Sequence, residues 1–498
     1  MEKFRPKGVD AVFITEIIFF ILFVLGILPR SLVNYFVIFL AAYAVLAKTE
    51  DSTIFFVRSI PFFIAIPLTQ TFDNLNTWRI LSVLIFLKWY ILKFKSLNIK
   101  YFIPKNKPSV LLGIILLLAV ASIIPAADKV VAIKRIIYFV NLSLIGFVIY
   151  DLAQNKEFTK RLIGNISIPV IIVTVIGLIQ VASTYFMDIY QFMRLWGEGI
   201  QCVQFGNQWC NIATWEGNTW FAYYGEQLSL RVFSLFTDSH TFPVFILLGL
   251  PAVFAISLQK MPQLKLSAWW IPTIFLMSIL SGTRGIWAAS IGVVLLVIGL
   301  IYYLPKQKRP LFKYISAYLV LFFILFAVAY PIFVSPQFLV SKGDWGLLGN
   351  RVRSIIDFGE TSNAQRIAIW KASWESIKEH PLLGVGIGNF PVVLNQDIEL
   401  AKAGSSAHNL YIHIAAEMGI VAVILAIWFF WLLFKKNYQE FVKEKDHFLS
   451  IYYGASLLFV PWILIYLLTD AALFDERAFL MFTTVASIIL GKRQNDNG

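Results

Sequence analysis

Charge is what this sequence has least of. Only 14% of its 498 residues are Asp, Glu, Lys or Arg, against about 25% in a soluble domain. A chain so poor in charge cannot clothe a water-exposed surface, so an ordinary soluble fold is excluded. Cysteine is nearly absent as well: Cys202 and Cys210 are the only two, and no His or Cys stands near them at metal-ligand spacing. There is no Walker loop, no H-E-x-x-H and no G-x-S-x-G, so ATP hydrolysis and zinc or serine hydrolase chemistry have no motif behind them.

What is present is apolar length. Hydrophobic residues make up 58% of the chain and gather into runs of roughly 17–25 residues between short charged links, the pattern of a polytopic α-helical membrane protein. The spans fall near 11–28, 32–47, 54–70, 77–94, 109–125, 134–152, 166–187, 241–258, 267–281, 285–303, 311–331, 409–434, 449–468 and 477–491, about fourteen in all. The third holds Pro61 and Pro67 and is expected to kink or re-enter. The first follows the basic stretch MEKFRPKGVD with no small-x-small cleavage site, and reads as an uncleaved span. Residues 1–498 thus read as one polytopic membrane domain.

The formal charge of +13 sits in the links, where it orients the spans; it does not point to nucleic acid. One set of links carries Lys93, Lys95, Lys100, Lys105 and Lys107, then Lys156, Lys160 and Arg161, then Lys260 and Lys265. The same set continues with Lys306, Lys308, Arg309 and Lys313, then Lys435, Lys436, Lys443 and Lys445, and ends at Lys492 and Arg493. The alternate set is poor in Lys and Arg apart from Lys129, Lys134 and Arg135. The positive-inside rule then puts both termini in the cytoplasm and two long segments, 188–240 and 332–408, on the outer face. Cys202 and Cys210, with seven residues between them in the first, suit a local disulfide outside the cytoplasm, with two unpaired thiols as the alternative. The second is too long for a simple connection. Its stretch 363–379 repeats apolar residues at helical spacing (Ile367, Trp370, Trp374, Ile377) and predicts a helix on the outer surface.

Three arginines stand out at the outer ends of spans. Arg231 opens LRVFSLFTDSHTF, Arg284 sits in the tight link SGTRG, and Arg366 begins AQRIAIWKASW. Each alone reads as an interfacial arginine on a lipid headgroup. Together they suit a pyrophosphate, because guanidinium forks match phosphate oxygens and keep their charge. In GSSAHNLYIHIAAEMGIVA, Ser405, Ser406 and Asn409 are helix N-cap types and His408 lies where a polar segment meets an apolar helix. That position suits a general base, or more plainly a capping histidine. Tyr411, His413 and Glu417 read as packing or interfacial residues. Gly384, Gly386 and Gly388 follow a helix and a proline, so they form a turn and not a dinucleotide loop.

These segments resemble the O-antigen ligase family, which includes O-antigen polymerases and bacterial O-oligosaccharyltransferases. His408-Asn409 followed by Gly419 resembles its histidine motif, with Ala422 where Gly, Thr or Tyr is usual. SGTRG resembles its Ser-x-Arg-Gly turn. RVFSLFTDSHTF resembles its Arg-x-x-Ser/Gly-x-Phe segment, with His240 where Asn is common. RIAIWKASWESIKEHPLLGVGIGNF resembles its outer-loop helix and glycine turn. The likeness covers residues 225–435. It implies a GT-C-like all-α membrane fold and a bacterial inner-membrane enzyme of surface polysaccharide (lipopolysaccharide O-antigen) assembly. It implies glycan transfer, without metal or cofactor, from a polyprenyl (undecaprenyl) pyrophosphate-linked donor to a glycan, lipid A–core or protein acceptor. His408 would be the catalytic base and Arg231, Arg284 and Arg366 the pyrophosphate ligands, with Asn409 and Gly419 supporting the motif. A polymerase joining lipid-linked repeat units is the near alternative, and a lipid-linked-sugar flippase the reading from another class.

Overall fold

The computed structural model describes residues 8–69, 75–94, 107–207, 209–210, 219–224, 227–259, 266–339, 361–396 and 406–491. Lys95, Lys100, Lys105, Lys260, Lys265, Lys492, Arg493 and Ser405 lie outside them, as do 340–360 and 397–405 of the second long segment. In chain order the elements are α1 (Gly8–Val24), α2 (Val33–Leu46), α3 (Thr49–Ser59), β1 (Ala65–Ile66), β2 (Leu75–Asn76), α4 (Thr77–Phe94), α5 (Lys107–Ala121), α6 (Lys129–Leu152) and α7 (Lys156–Ser183). Short helical turns from Ile189 to Phe205 lead to β3 (Phe221–Tyr224) and β4 (Gln227–Leu230). Then follow α8 (Thr241–Leu258), α9 (Trp270–Leu280), α10 (Arg284–Tyr303), α11 (Arg309–Val334), α12 (Thr361–Glu379), α13 (Leu410–Met418), α14 (Ile420–Lys443), α15 (His447–Tyr466) and α16 (Glu476–Leu490).

Among the described residues seven helices are long and apolar enough to cross a membrane: α6, α7, α8, α10, α11, α14 and α15. The chain is therefore a helical, multi-pass membrane protein, and among the described residues two small antiparallel hairpins, β1–β2 and β3–β4, stand beside the helices. The core is built on α8, which packs on α7, α9, α15 and α16 and buries every residue but Ile256. Such all-round burial is what an all-round apolar helix requires.

Two predicted spans differ in form. The run 54–70 is no single helix: α3 ends at Ser59, Ile60–Phe62 makes a 3₁₀ turn around Pro61, and Ala65–Ile66 pairs with Leu75–Asn76. Proline removes the donor that would carry the helix on. The strand pairing turns the chain back towards the end where α4 begins. The run 409–434 is split at Gly419, whose φ of +86° ends α13 and starts α14 on a new axis.

The polar links sort to two ends. At one, Lys93 pairs with Asp151, Arg161 with Asp51 (2.5 Å), Lys160 with Asp446 (2.7 Å) and Lys156 with Glu444 (3.3 Å). Lys308 donates there to the Glu444 carbonyl (2.6 Å). The helices α8, α10 and α15, of 18, 20 and 20 residues, run between this basic layer and the opposite end. At 1.5 Å per residue that is about 27–30 Å, the thickness of a bilayer core.

Candidate functional site

At the end away from the basic layer lies a small cavity of about 90 Å³, lined by Arg231, His240, the turn Gly282–Gly285, Arg366, Tyr466, Thr469 and Asp470. Three guanidiniums and one carboxylate in so small a space make it an anion-seeking site. Arg231, Arg284 and Arg366, which sequence reading picked out one by one from distant segments, face one cavity.

Each arginine is delivered by a different device. Arg231 follows β4. Its neighbours are bolted down by Gln180 of α7, whose Oε1 accepts from the amides of Phe233 (3.0 Å) and Ser234 (2.9 Å). The Arg231 Nε donates to the Ser281 carbonyl at 3.3 Å, tying this segment to the turn that carries Arg284. That turn is anchored by Thr283, whose Oγ1 donates to the Ser239 carbonyl at 2.7 Å. Gly285 sits so close to Thr469 and the Tyr466 ring that any Cβ there would clash. Arg366, on the first turns of α12, donates through Nη1 to the Thr469 carbonyl at 3.1 Å. The link after α15 is thus the common wall.

His240 and Asp470 were not expected as site residues. Arg231 Nη2 lies 3.2 Å from His240 Nε2, and His240 Nδ1 lies 2.9 Å from Asp470 Oδ2. A guanidinium only donates, so Nε2 accepts and the ring proton resides on Nδ1, facing the carboxylate. Asp470 therefore holds His240, and His240 holds Arg231. Burial alone would push the Asp470 carboxyl up. The hydrogen bond that His240 donates, with the positive charge of Arg366 nearby, holds it well below the usual carboxylate range.

His408 does not line the cavity wall itself; it stands within electrostatic reach of Asp470, Arg366 and His240, three of the lining residues. It is half-buried, at a φ of +45°. That left-handed turn is fixed on both sides. Before it, the Ala407 carbonyl accepts from Trp370 Nε1 of α12 (2.7 Å). After it, Asn409 caps α13 by accepting from the amides of Tyr411 and Ile412, and donates to the Leu468 carbonyl (2.8 Å). Burial pushes the imidazole below the ordinary histidine value. The Asp470 carboxylate opposes that, and Arg366, His240 and His413 reinforce it. An imidazole kept neutral near pH 7 is one ready to accept a proton.

The glycine turn serves the same segment. Val385 and Gly386 donate to the carbonyls of Ala416 and Glu417 (2.9 and 3.0 Å), and Ile420 donates to Pro381 (2.9 Å). The turn thus clasps the α13–α14 break. A Cβ on Gly419 would strike the Leu382 carbonyl. His413 and Glu417 are buried and paired with each other at 3.3 Å, with Phe390 stacked on the His413 ring at 4.6 Å. Cys202 and Cys210 have Cα atoms 4.7 Å apart, within the range a disulfide requires.

The fold and site define a multi-pass helical membrane protein with an arginine-rich cavity at one membrane face. Residues 271–427, about a third of the chain, match the family model described as O-Antigen ligase, so this stretch is similar to that family. The match takes in Arg284, Arg366, His408, Asn409 and Gly419; Arg231 and His240 precede it, and Asp470 follows it. No curated protein matches the chain.

Proposed function

We propose that the protein is a membrane glycosyltransferase of surface polysaccharide assembly. It transfers a glycan from a polyprenyl (undecaprenyl) pyrophosphate carrier to an acceptor hydroxyl. The convergence of Arg231, Arg284 and Arg366 on one cavity, with His408 in electrostatic reach, carries the reading. Because the cavity lies at the opposite end of α8, α10 and α15 from the basic layer, the positive-inside rule assigns it to the outer face of the cytoplasmic membrane, with both termini inside.

The acceptor hydroxyl attacks the anomeric carbon as the bond from that carbon to the pyrophosphate oxygen breaks. His408 takes the hydroxyl proton, and the lipid pyrophosphate departs with the bonding electrons. The three guanidiniums stabilise the charge that develops on the leaving group in a site shielded from bulk water. A single displacement inverts the anomeric centre, by the logic that governs inverting glycosidases. Arginine carries the charge stabilisation, so the reading needs no divalent ion.

The acceptor separates a ligase, which delivers the glycan to lipid A–core, from a polymerase, which delivers it to another lipid-linked repeat unit. Mass spectrometry of the products made by purified protein in detergent, from a defined polyprenyl-pyrophosphate donor, tests the proposal. Transfer to a second acceptor marks a ligase and a ladder on the carrier marks a polymerase. Detergent permits no transport, so absence of any transfer with both acceptors present would favour a lipid-linked-sugar flippase.

A further inference from the structure

His240 stands just before α8, a position from which a side chain commonly caps a helix. Here Asp238 does the capping: its Oδ1 accepts from the amides of His240 and Thr241, each at 2.8 Å. The imidazole makes no capping bond and lines the cavity instead. Its backbone is fixed next door, where the Ser239 carbonyl accepts from Thr283. Asp470 is placed as firmly from the other side, because its carbonyl accepts from the Leu410 amide at 3.0 Å.

A buried carboxylate among guanidiniums is expected to pair with one of them, since a bidentate fork on a carboxylate is a strong contact for both groups. Among the described residues Asp470 pairs instead with His240, its Oδ2 lying 2.9 Å from Nδ1. Arg366 is held back by the Thr469 carbonyl, to which its Nη1 donates at 3.1 Å. Arg231 donates through Nε to the Ser281 carbonyl (3.3 Å) and through Nη2 to His240 Nε2 (3.2 Å). The imidazole therefore stands between the carboxylate and the guanidinium, with one nitrogen to each. Tyr466 Oη, 3.3 Å from Nδ1, closes the carboxylate side of the ring. A guanidinium forked on Asp470 would turn to the carboxylate the donors that an anion in the cavity needs. The ring takes one N–H of Arg231 and brings no charge to meet it.

We propose that His240 is a positioning residue, a neutral spacer that occupies Asp470 and keeps it from capturing the Arg231 fork that the donor pyrophosphate requires. This rests on the reading of the cavity as a pyrophosphate site. Calorimetric titration of the purified full-length protein in detergent with a short-chain polyprenyl pyrophosphate tests it. His240→Ala lets Arg231 fall onto Asp470, so affinity drops about tenfold, the loss expected when a charge-assisted hydrogen bond goes. Adding Asp470→Asn to that variant removes the competing charge and returns affinity towards wild type, a recovery that a merely structural role for His240 would not give. His240→Gln keeps a donor and an acceptor. It falls between wild type and His240→Ala, and takes the same second change if the alanine variant does not fold. Wild-type affinity in His240→Ala, or a loss that Asp470→Asn leaves unrelieved, would overturn the spacer alone, provided that Arg284→Gln still weakens binding. Absence of binding by wild type would overturn the reading of the cavity, and the spacer with it.

Discussion

At the scale of single residues, the site separates groups that carry charge from a group that moves a proton. Replacing His408 by Ala is expected to lower transfer by about 10²–10⁴-fold, the usual worth of a general base, with the donor still bound. The pH profile follows from the depressed imidazole. The base must be neutral, so the rate is full near pH 7 and is lost as pH falls through a value below about 6.5, the ordinary histidine value. An acid limb at or above that ordinary value would count against His408 as the base. Arg284→Lys keeps one positive charge and loses the fork, so turnover should drop by about 10²-fold, as when a single donor to developing charge is removed. Wild-type turnover in that variant would exclude bidentate phosphate binding there. Arg231, Arg284 and His408 were legible in the sequence because each is a polar residue at the mouth of an apolar span, and Arg366 because it begins the outer-loop helix. His240 and Asp470 were not singled out. His240 stood out only as a departure from the resembled motif, where Asn is common, and Asp470 gains meaning only when folding sets it 2.9 Å from a histidine far away in the chain.

At the scale of elements, hydropathy placed helix within every predicted span, and α8 matches its predicted run residue for residue because it is apolar along almost its whole length and buried at every residue but Ile256. The same signal could not register the break at Gly419, since apolar residues continue across it. The break is imposed by a backbone angle and by the glycine turn docked against it, both tertiary facts. Gly419→Ala forces an L-residue to φ +86° against the Leu382 carbonyl. It should destabilise the protein by about 1–3 kcal/mol of backbone strain, beyond the clash, and displace the His408 segment; a thermal midpoint equal to wild type would refute this. A second element effect concerns the cap of α16. Burial, with Glu476 and Asp238 beside it, raises the Asp475 carboxyl to about 7, above its ordinary value of about 3.9. Between about pH 4 and pH 7 the folded protein therefore holds a proton there that the unfolded chain has released, so stability declines as pH rises across that window and levels off above about 7. Asp475→Asn keeps the cap and removes the charge. Its thermal midpoint should exceed wild type by more at pH 8 than at pH 5, the gap closing only near pH 4; a gap independent of pH would contradict the assignment.

At the scale of the whole molecule, the account depends on two ends of unlike character, a basic layer and an arginine-lined cavity, joined by α8, α10 and α15. Single cysteines introduced at Lys134 and at Lys306 should be labelled by a membrane-impermeant thiol reagent from opposite sides, Lys134 from outside and Lys306 only after permeabilisation. Labelling of both from one side would undo the orientation. The most direct test of the central claim measures donor binding and single-turnover glycan transfer on the same preparations of wild type, His408→Ala and a variant with Arg231 and Arg284 both changed to Gln. The account predicts that His408→Ala binds polyprenyl-pyrophosphate donor like wild type yet fails to transfer, while the double arginine variant loses binding itself. Wild-type transfer by His408→Ala, or unchanged donor affinity without the two arginines, would contradict it.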